Sequence, residues 1–206
     1  MILVIAGCAP GGASAQPDGT GQPLVDPVPD TMEAAIFAGG CFWCMEGPFE
    51  AITGVQTVLS GYTGGPEENP AYREVASGQT GHTEAVWVIY DPAVVDYETL
   101  VSAFWRSMDP TDAGGQFADR GTQYRPSIYV FTEAQRETAQ ASKQALEADG
   151  PFDEPIIVPI EDAGAFYVAE DYHQDYYLTN TSHYQAYRRG SGRAGFLAQH
   201  WGDEAH

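Results

Sequence analysis

Lysine is nearly absent: Lys143 is the only one in 206 residues, and Lys and Arg together number 9 against 29 Asp and Glu, a net charge of −20. With no run of basic side chains to hold phosphates, nucleic acid and anionic membrane surfaces are poor partners. The acidic surface implies solubility and names no substrate. Cysteine is scarce as well. Cys8, Cys41 and Cys44 cannot build a multi-bridge framework and point instead to redox or lipid chemistry. Long apolar runs are missing, since Ile2 to Ala6 is too short to cross a bilayer, and no internal repeat is visible. What remains, 43% hydrophobic residues, fills one core and predicts one domain.

Residues 1–15 read as the end of a secretion signal, and Val4-Ile5-Ala6-Gly7-Cys8 looks like a bacterial lipobox, with Cys8 acylated as the mature N-terminus. Simple export with cleavage after Ala13-Ser14-Ala15, or an unprocessed cytoplasmic tail, are the alternatives. Lipidation at Cys8 predicts a periplasmic, membrane-anchored protein. Residues 16–30, rich in Gly, Pro, Gln, Asp and Thr without periodicity, read as a flexible tether, and a folded domain is expected over residues 31–206.

The densest chemistry lies at Gly39-Gly40-Cys41-Phe42-Trp43-Cys44-Met45-Glu46. Ala34 to Ala38 read as the end of a strand, the glycine pair as a turn, and Cys41 to Ile52 as a helix whose first turn carries the sulfur. A thiol at a helix start feels unpaired N–H groups and the positive end of the dipole, which lower its pKa from roughly 8.5 into the range of about 3.5 to 7.5. Cys41 is therefore the candidate nucleophile, against the plainer alternative of a small buried hydrophobe.

Beyond it, Val55 to Gly61 predicts a strand leading into the turn Tyr62-Thr63-Gly64-Gly65-Pro66, and Glu84 to Tyr90 a central strand. Asp96 can cap a helix whose Tyr97, Leu100, Val101, Phe104, Trp105 and Met108 recur at core spacing, so these aromatics argue for packing rather than a cofactor. Asp109 to Pro126 is a polar loop of a length that tends to be functional. Ser127 to Phe131 predicts a strand, Thr132-Glu133-Ala134-Gln135 the capping box of a helix to about Asp149, and Ile156 to Ile160 a further strand. Strands and helices mixed in this order predict an α+β chain, a two-layer α/β sandwich with a mixed sheet and flanking helices.

Five strings agree at once: GCFWCMEGPFE at Gly40 to Glu50, GYTGG at Gly61 to Gly65, NPAYREV at Asn69 to Val75, GHTEAV at Gly81 to Val86, and DRGTQYR at Asp119 to Arg125. Together they closely resemble the A-type peptide methionine sulfoxide reductases, from about Ala35 to at least Tyr177. The resemblance implies a ferredoxin-like core and thiol-dependent reduction of the S epimer of methionine sulfoxide, free or in proteins. It implies Cys41 as nucleophile and Glu84 as the acid, kept protonated in a dry pocket. Tyr72 and Tyr124 match the tyrosines that donate to the sulfoxide oxygen, and Asp119 matches a further site residue. Phe42 and Trp43 would form the wall that receives the methyl group.

The first half reaction leaves a sulfenic acid on Cys41 that must be reduced. Many relatives use a cysteine near the C-terminus, but His183-Tyr184-Gln185 has Gln where a thiol is often found, so Cys44 is the plausible resolving residue. Its i+3 position gives a CxxC spacing used for reversible disulfides, with thioredoxin or another dithiol as reductant. No bound cofactor or metal is implied, and a monomer is expected. The rivals are a thioredoxin-like CxxC disulfide oxidoreductase, which lacks the GHTE and GTQYR strings, and a zinc enzyme built on His82, Glu84 and the cysteines. Zinc deaminases carry their cysteine pair downstream of HxE, the reverse of the order here. The tail after Tyr187, with Arg188, Arg189 and Trp201, either covers the site or lies loose.

Overall fold

The computed structural model describes residues 28–202; Cys8 and the segments read as a signal and most of the tether lie outside the described residues. The main sheet has six strands: β1 (Glu33–Ala38), β2 (Val55–Thr63), β3 (Thr83–Tyr90), β6 (Ser127–Val130), β7 (Ile160–Asp162) and β8 (Phe166–Val168). Their order is β7-β6-β1-β3-β2-β8, antiparallel throughout except between β6 and β7. A separate hairpin pairs β4 (Gly115–Gln116) with β5 (Asp119–Arg120).

Strand β1 lies between β6 and β3 and, past its exposed Glu33, is buried on both faces, which is why residues 34–38 are an unbroken apolar run rather than an alternation. Ala35 and Phe37 join the larger core with Phe49, Leu100, Phe104 and Val130, while Ala34, Ile36 and Ala38 meet Ala85, Trp87, Tyr129 and Phe166 on the other face. Helices α3 (Tyr97–Trp105) and α4 (Glu133–Asp149) contribute to the larger core. The Asp96 cap is present, its carboxylate accepting from Thr99 N at 2.8 Å. Thr132 likewise accepts from Gln135 N at 3.2 Å, but Gln135 does not close a capping box. Its Oε1 takes the Phe131 N–H at 2.9 Å and its Nε2 donates to Ala34 O at 2.8 Å, stitching α4 to β1.

Three expectations are corrected. The helix expected from Cys41 to Ile52 is broken into a 3-10 turn, Phe42–Cys44, and a short α1 (Glu46–Glu50). Pro48 explains the break, because it has no N–H to give the Cys44 carbonyl and its ring clashes there. The strand expected over Ile156 to Ile160 starts only at Ile160, behind Pro155 and Pro159. The loop from Asp109 to Pro126 is not featureless; it holds the β4–β5 hairpin and a 3-10 turn, Thr122–Tyr124.

After α2 (Tyr72–Ala76) on one side of the site and β8 on another, the chain closes with α5 (Tyr176–Thr179), α6 (Thr181–Gly190) and α7 (Arg193–Trp201). This tail is packed, not loose. Arg193 is 1% exposed, donates to Gly39 O at 3.0 Å and to Ser107 O, and lies over the Phe117 ring at 4.8 Å. Arg193→Leu keeps an apolar stem but orphans two buried carbonyls, so it is expected to cost about 3 kcal/mol in chemical denaturation, a charged donor being worth roughly 1.5 to 3 kcal/mol. An unchanged denaturation midpoint would show the bonds to be dispensable.

Candidate active site

The strand-to-turn junction after β1 aims Cys41 into the protein. Gly40 sits at φ +85°, and a Cβ there would lie 2.5 Å from the Gln116 side chain, so neither the backbone nor the space admits another residue. Cys44 N donates to Cys41 O at 3.0 Å and closes the 3-10 turn. In this helix type residues i and i+3 eclipse, so the thiols of Cys41 and Cys44, both free and buried, come face to face and hydrogen-bond.

The expected depression of the Cys41 pKa is not found. Burial pushes the Cys41 thiol well above its ordinary value, and the Cys44 contact and the Glu84 charge push the same way. A three-residue 3-10 turn has too few aligned peptides to outweigh that desolvation. Cys44 goes the other way, down to about 7, through the hydrogen bond from Cys41, with the positive charges of Arg193 and Arg188 helping. Since the thiols share a hydrogen bond, the first proton leaves the pair, and the two arginines favour the charge on Cys44.

Glu84 is 2% exposed near the start of β3, facing Tyr62 across the ladder. Its Oε2 accepts the Phe42 N–H at 3.1 Å, which ties the carboxyl to the residue following Cys41. Burial raises its pKa to about 8, the negative Asp119 and Cys44 adding to the rise and the Phe42 N–H opposing it. Tyr72 and Tyr124 both feel the charges of Glu84 and Cys41, so the four groups share one site. Burial keeps both phenols protonated, Tyr72 up to about 12 and Tyr124 further. Tyr72 is fixed by its N–H on Glu170 Oε1 at 3.0 Å, and Glu170 Oε2 takes the Tyr62 hydroxyl at 2.8 Å.

Phe42 and Trp43 belong to one aromatic cluster. Phe42 is buried with ring centroids 6.0 Å from Tyr62 and 5.0 Å from His173, and Trp43 stacks on Tyr176 at 3.8 Å and 8°. Trp43 Nε1 donates to His173 Nδ1 at 3.2 Å, which places the histidine proton on Nε2; burial holds this ring neutral, its pKa down to about 4. Asp119, on β5, accepts from the Tyr187 hydroxyl, and Tyr184 bonds the Cys44 thiol. Every site residue expected within the described residues is thus gathered around one turn.

Sequence reasoning missed Glu170, Tyr184, Tyr187 and the role of His173. Tyr184 and Tyr187 stand three apart on α6, a same-face spacing, but 12 tyrosines offer many such pairs. His82 has both ring nitrogens engaged, Nδ1 with Gly65 N at 3.2 Å and Nε2 with Glu67 O at 2.8 Å, so it braces the loop before Glu84. Among the described residues, no group of three or more His, Cys, Asp or Glu could hold a metal ion.

Two facing thiols beside an acid that stays protonated near neutrality define a thiol-dependent oxidoreductase whose substrate carries an oxygen to be removed. The profile of the peptide methionine sulfoxide reductases matches residues 33–205. This chain belongs to that family, as an A-type enzyme, and reduces methionine sulfoxide to methionine in the repair of oxidised proteins. The peptide methionine sulfoxide reductase of Bacillus subtilis is 56% identical over 170 residues, 82% of this chain and 96% of its own length. That of Listeria monocytogenes is 53% identical over 172 residues, 84% of this chain and 97% of its own length. Methionine sulfoxide reductase A of Corynebacterium diphtheriae shares the fold with a TM-score of 0.63 at 33% identity, over 83% of this chain and 86% of that one. Reduced Mxr1 of Saccharomyces cerevisiae gives 0.69 at 29% identity, over 74% of this chain and 88% of that one.

Proposed function

We propose that Cys41 is the nucleophile and Glu84 the acid of an enzyme specific for the S epimer. The Cys41 thiolate attacks the sulfoxide sulfur while Glu84 gives its proton to the oxygen, which leaves as hydroxide from a sulfonium bonded to Cys41; hydroxide then attacks the Cys41 sulfur and breaks that S–S bond, so methionine departs and Cys41 becomes a sulfenic acid. Tyr72 and Tyr124 donate to the oxygen as its charge grows, and Phe42 and Trp43 take the methyl group. Asp119 orders the loop that carries Tyr124. Cys44 then displaces water from the sulfenic acid to form a Cys41–Cys44 disulfide, which a dithiol reduces. The observation that carries the reading is the buried Glu84 carboxyl, bonded to the residue after Cys41 and held protonated up to about 8.

The reductant we assign is a thioredoxin-like dithiol; Mxr1 of Saccharomyces cerevisiae is known in complex with Trx2. The lipobox at Cys8 supports acylation, a periplasmic position on the membrane, and a reductant exported to that side. We take residues 16–30 as the tether, residues 31–206 as the catalytic domain, and the enzyme as a monomer. Separated S and R epimers of a peptide methionine sulfoxide, offered with a dithiol, test the assignment. Reduction of S alone is expected, and reduction of R, or of neither, overturns it.

A further inference from the structure

Cys41 must ionise to attack, yet its surroundings oppose ionisation: it is buried, and Glu84 and Cys44 both press against a charge on it. The start of the 3-10 turn does not compensate. One group on the other side of the cleft does. The Tyr187 hydroxyl, on α6, donates to Asp119 and stands near enough to the Cys41 thiol to favour its ionisation, while its ring meets Trp43 edge-on at 6.1 Å and 84°. The side chain is therefore held at its ring and at its hydroxyl, with its single proton on Asp119 and the reacting sulfur beside it.

We propose that Tyr187 is a further catalytic residue: its hydroxyl rests on Asp119 while Cys41 is protonated and turns onto the Cys41 sulfur when the proton leaves, holding the thiolate ready for the sulfoxide. A phenol has the right chemistry, one donor and acceptor capacity in the same oxygen, so it accepts from S–H in one state and donates to the thiolate in the other. Its own ionisation does not compete, because burial and the neighbouring Cys41, Cys44 and Asp119 drive its pKa far up. The remaining groups around the sulfur do not take this part. Tyr72 and Tyr124 interact with Glu84 more strongly than with Cys41, Tyr184 bonds Cys44, and Arg193 and Arg188 act on Cys44. The proposal rests on Cys41 being the nucleophile, and it gives α6 a share in the chemistry that the CxxC turn alone lacks.

The test measures alkylation of Cys41 by iodoacetamide across pH, read by peptide mass in the full-length Cys44→Ser protein, with and without Tyr187→Phe. Tyr187→Phe is expected to move the midpoint up by about one pH unit, tenfold less thiolate at any pH below it. A ring-fluorinated tyrosine in place of Tyr187 keeps the packing and donates more strongly, so it is expected to move the midpoint down, and it decides the matter should Tyr187→Phe fail to fold. A midpoint unmoved by either replacement overturns the proposal and leaves Tyr187 a packing residue. Alkylation needs no sulfoxide, so this outcome is separate from failure of the reductase reading, which would appear as no methionine formed by the parent enzyme.

Discussion

Glu84→Gln is expected to slow formation of methionine in a single turnover by about 10²- to 10⁴-fold, the range that a positioned general acid contributes. The amide fits the same space and can still accept the Phe42 N–H that Glu84 Oε2 now takes at 3.1 Å, so the turn carrying Cys41 keeps its anchor. What is lost is the proton for the sulfoxide oxygen. Above pH 8, where Glu84 is ionised, the same substitution removes the negative charge that raises the Cys41 pKa, so alkylation of Cys41 should become faster there while sulfoxide reduction becomes slower. Those two opposite changes in one variant separate loss of an acid from general damage. A rate within threefold of the parent would remove Glu84 from the acid's role.

The pH dependence follows from the same pair. Near neutrality Glu84, with a pKa of about 8, and Cys41, raised well above its ordinary value, both hold their protons. Loss of the first proton creates some thiolate beside a carboxylic acid, the reactive form, and loss of the second destroys it, so the first half reaction should follow a bell with its acid limb near pH 8. In Glu84→Gln the residual rate should instead rise with the thiolate and reach a plateau. Stability changes in a related sense. A carboxyl whose folded pKa lies above its unfolded value of about 4.3 contributes most below that value, and the contribution is lost as pH rises through the folded pKa. Glu46, fully buried and also raised to about 8 by burial, adds to this loss, which Glu84→Gln should reduce on the alkaline side.

The parts of this molecule that could be read from the chain are those written in adjacent residues. Residues 34–38 of β1 and 85–90 of β3 are unbroken apolar runs, Asp96 and Thr132 announce their helices by local caps, and Gly40 marks a turn that only glycine can make. The same holds for Cys41, Glu84, Tyr72, Tyr124 and Asp119, each embedded in a short string. The charge state of Cys41 was not legible, because it depends on burial under α6 and on Glu84, 43 positions away in sequence but adjacent in space. Local reasoning saw a helix start; Pro48 and the fold turned it into a dry 3-10 turn. Glu170 and Tyr187 were illegible for the same reason, since their partners Tyr62, Tyr72 and Asp119 lie 108, 98 and 68 residues distant. His173 combines the two cases. Its place in an aromatic stretch was plain, but its hydrogen bond to Trp43 spans 130 residues.

Cys44→Ser is expected to release about one equivalent of methionine per enzyme and then stop with thioredoxin as the only reductant, whereas the parent turns over continuously. The geometry favours Cys44 in two ways. The 3-10 turn eclipses residues 41 and 44, so the resolving sulfur is already beside the sulfenic acid and little loop closure is needed. In the reduced pair Cys44 is lowered to about 7, chiefly by the Cys41 thiol, and the Arg193 and Arg188 charges that help lower it still favour a Cys44 thiolate once Cys41 is a sulfenic acid. A small monothiol in excess should restore slow turnover in Cys44→Ser by reducing the Cys41 sulfenic acid directly, and a sulfenic-acid trap should label Cys41 in the variant far more than in the parent. Peptide mapping of the parent after reaction with sulfoxide alone should find residues 41 and 44 joined. Undiminished thioredoxin-dependent turnover in Cys44→Ser would transfer reduction of the sulfenic acid to the external thiol and leave Cys44 as a packed residue of the turn.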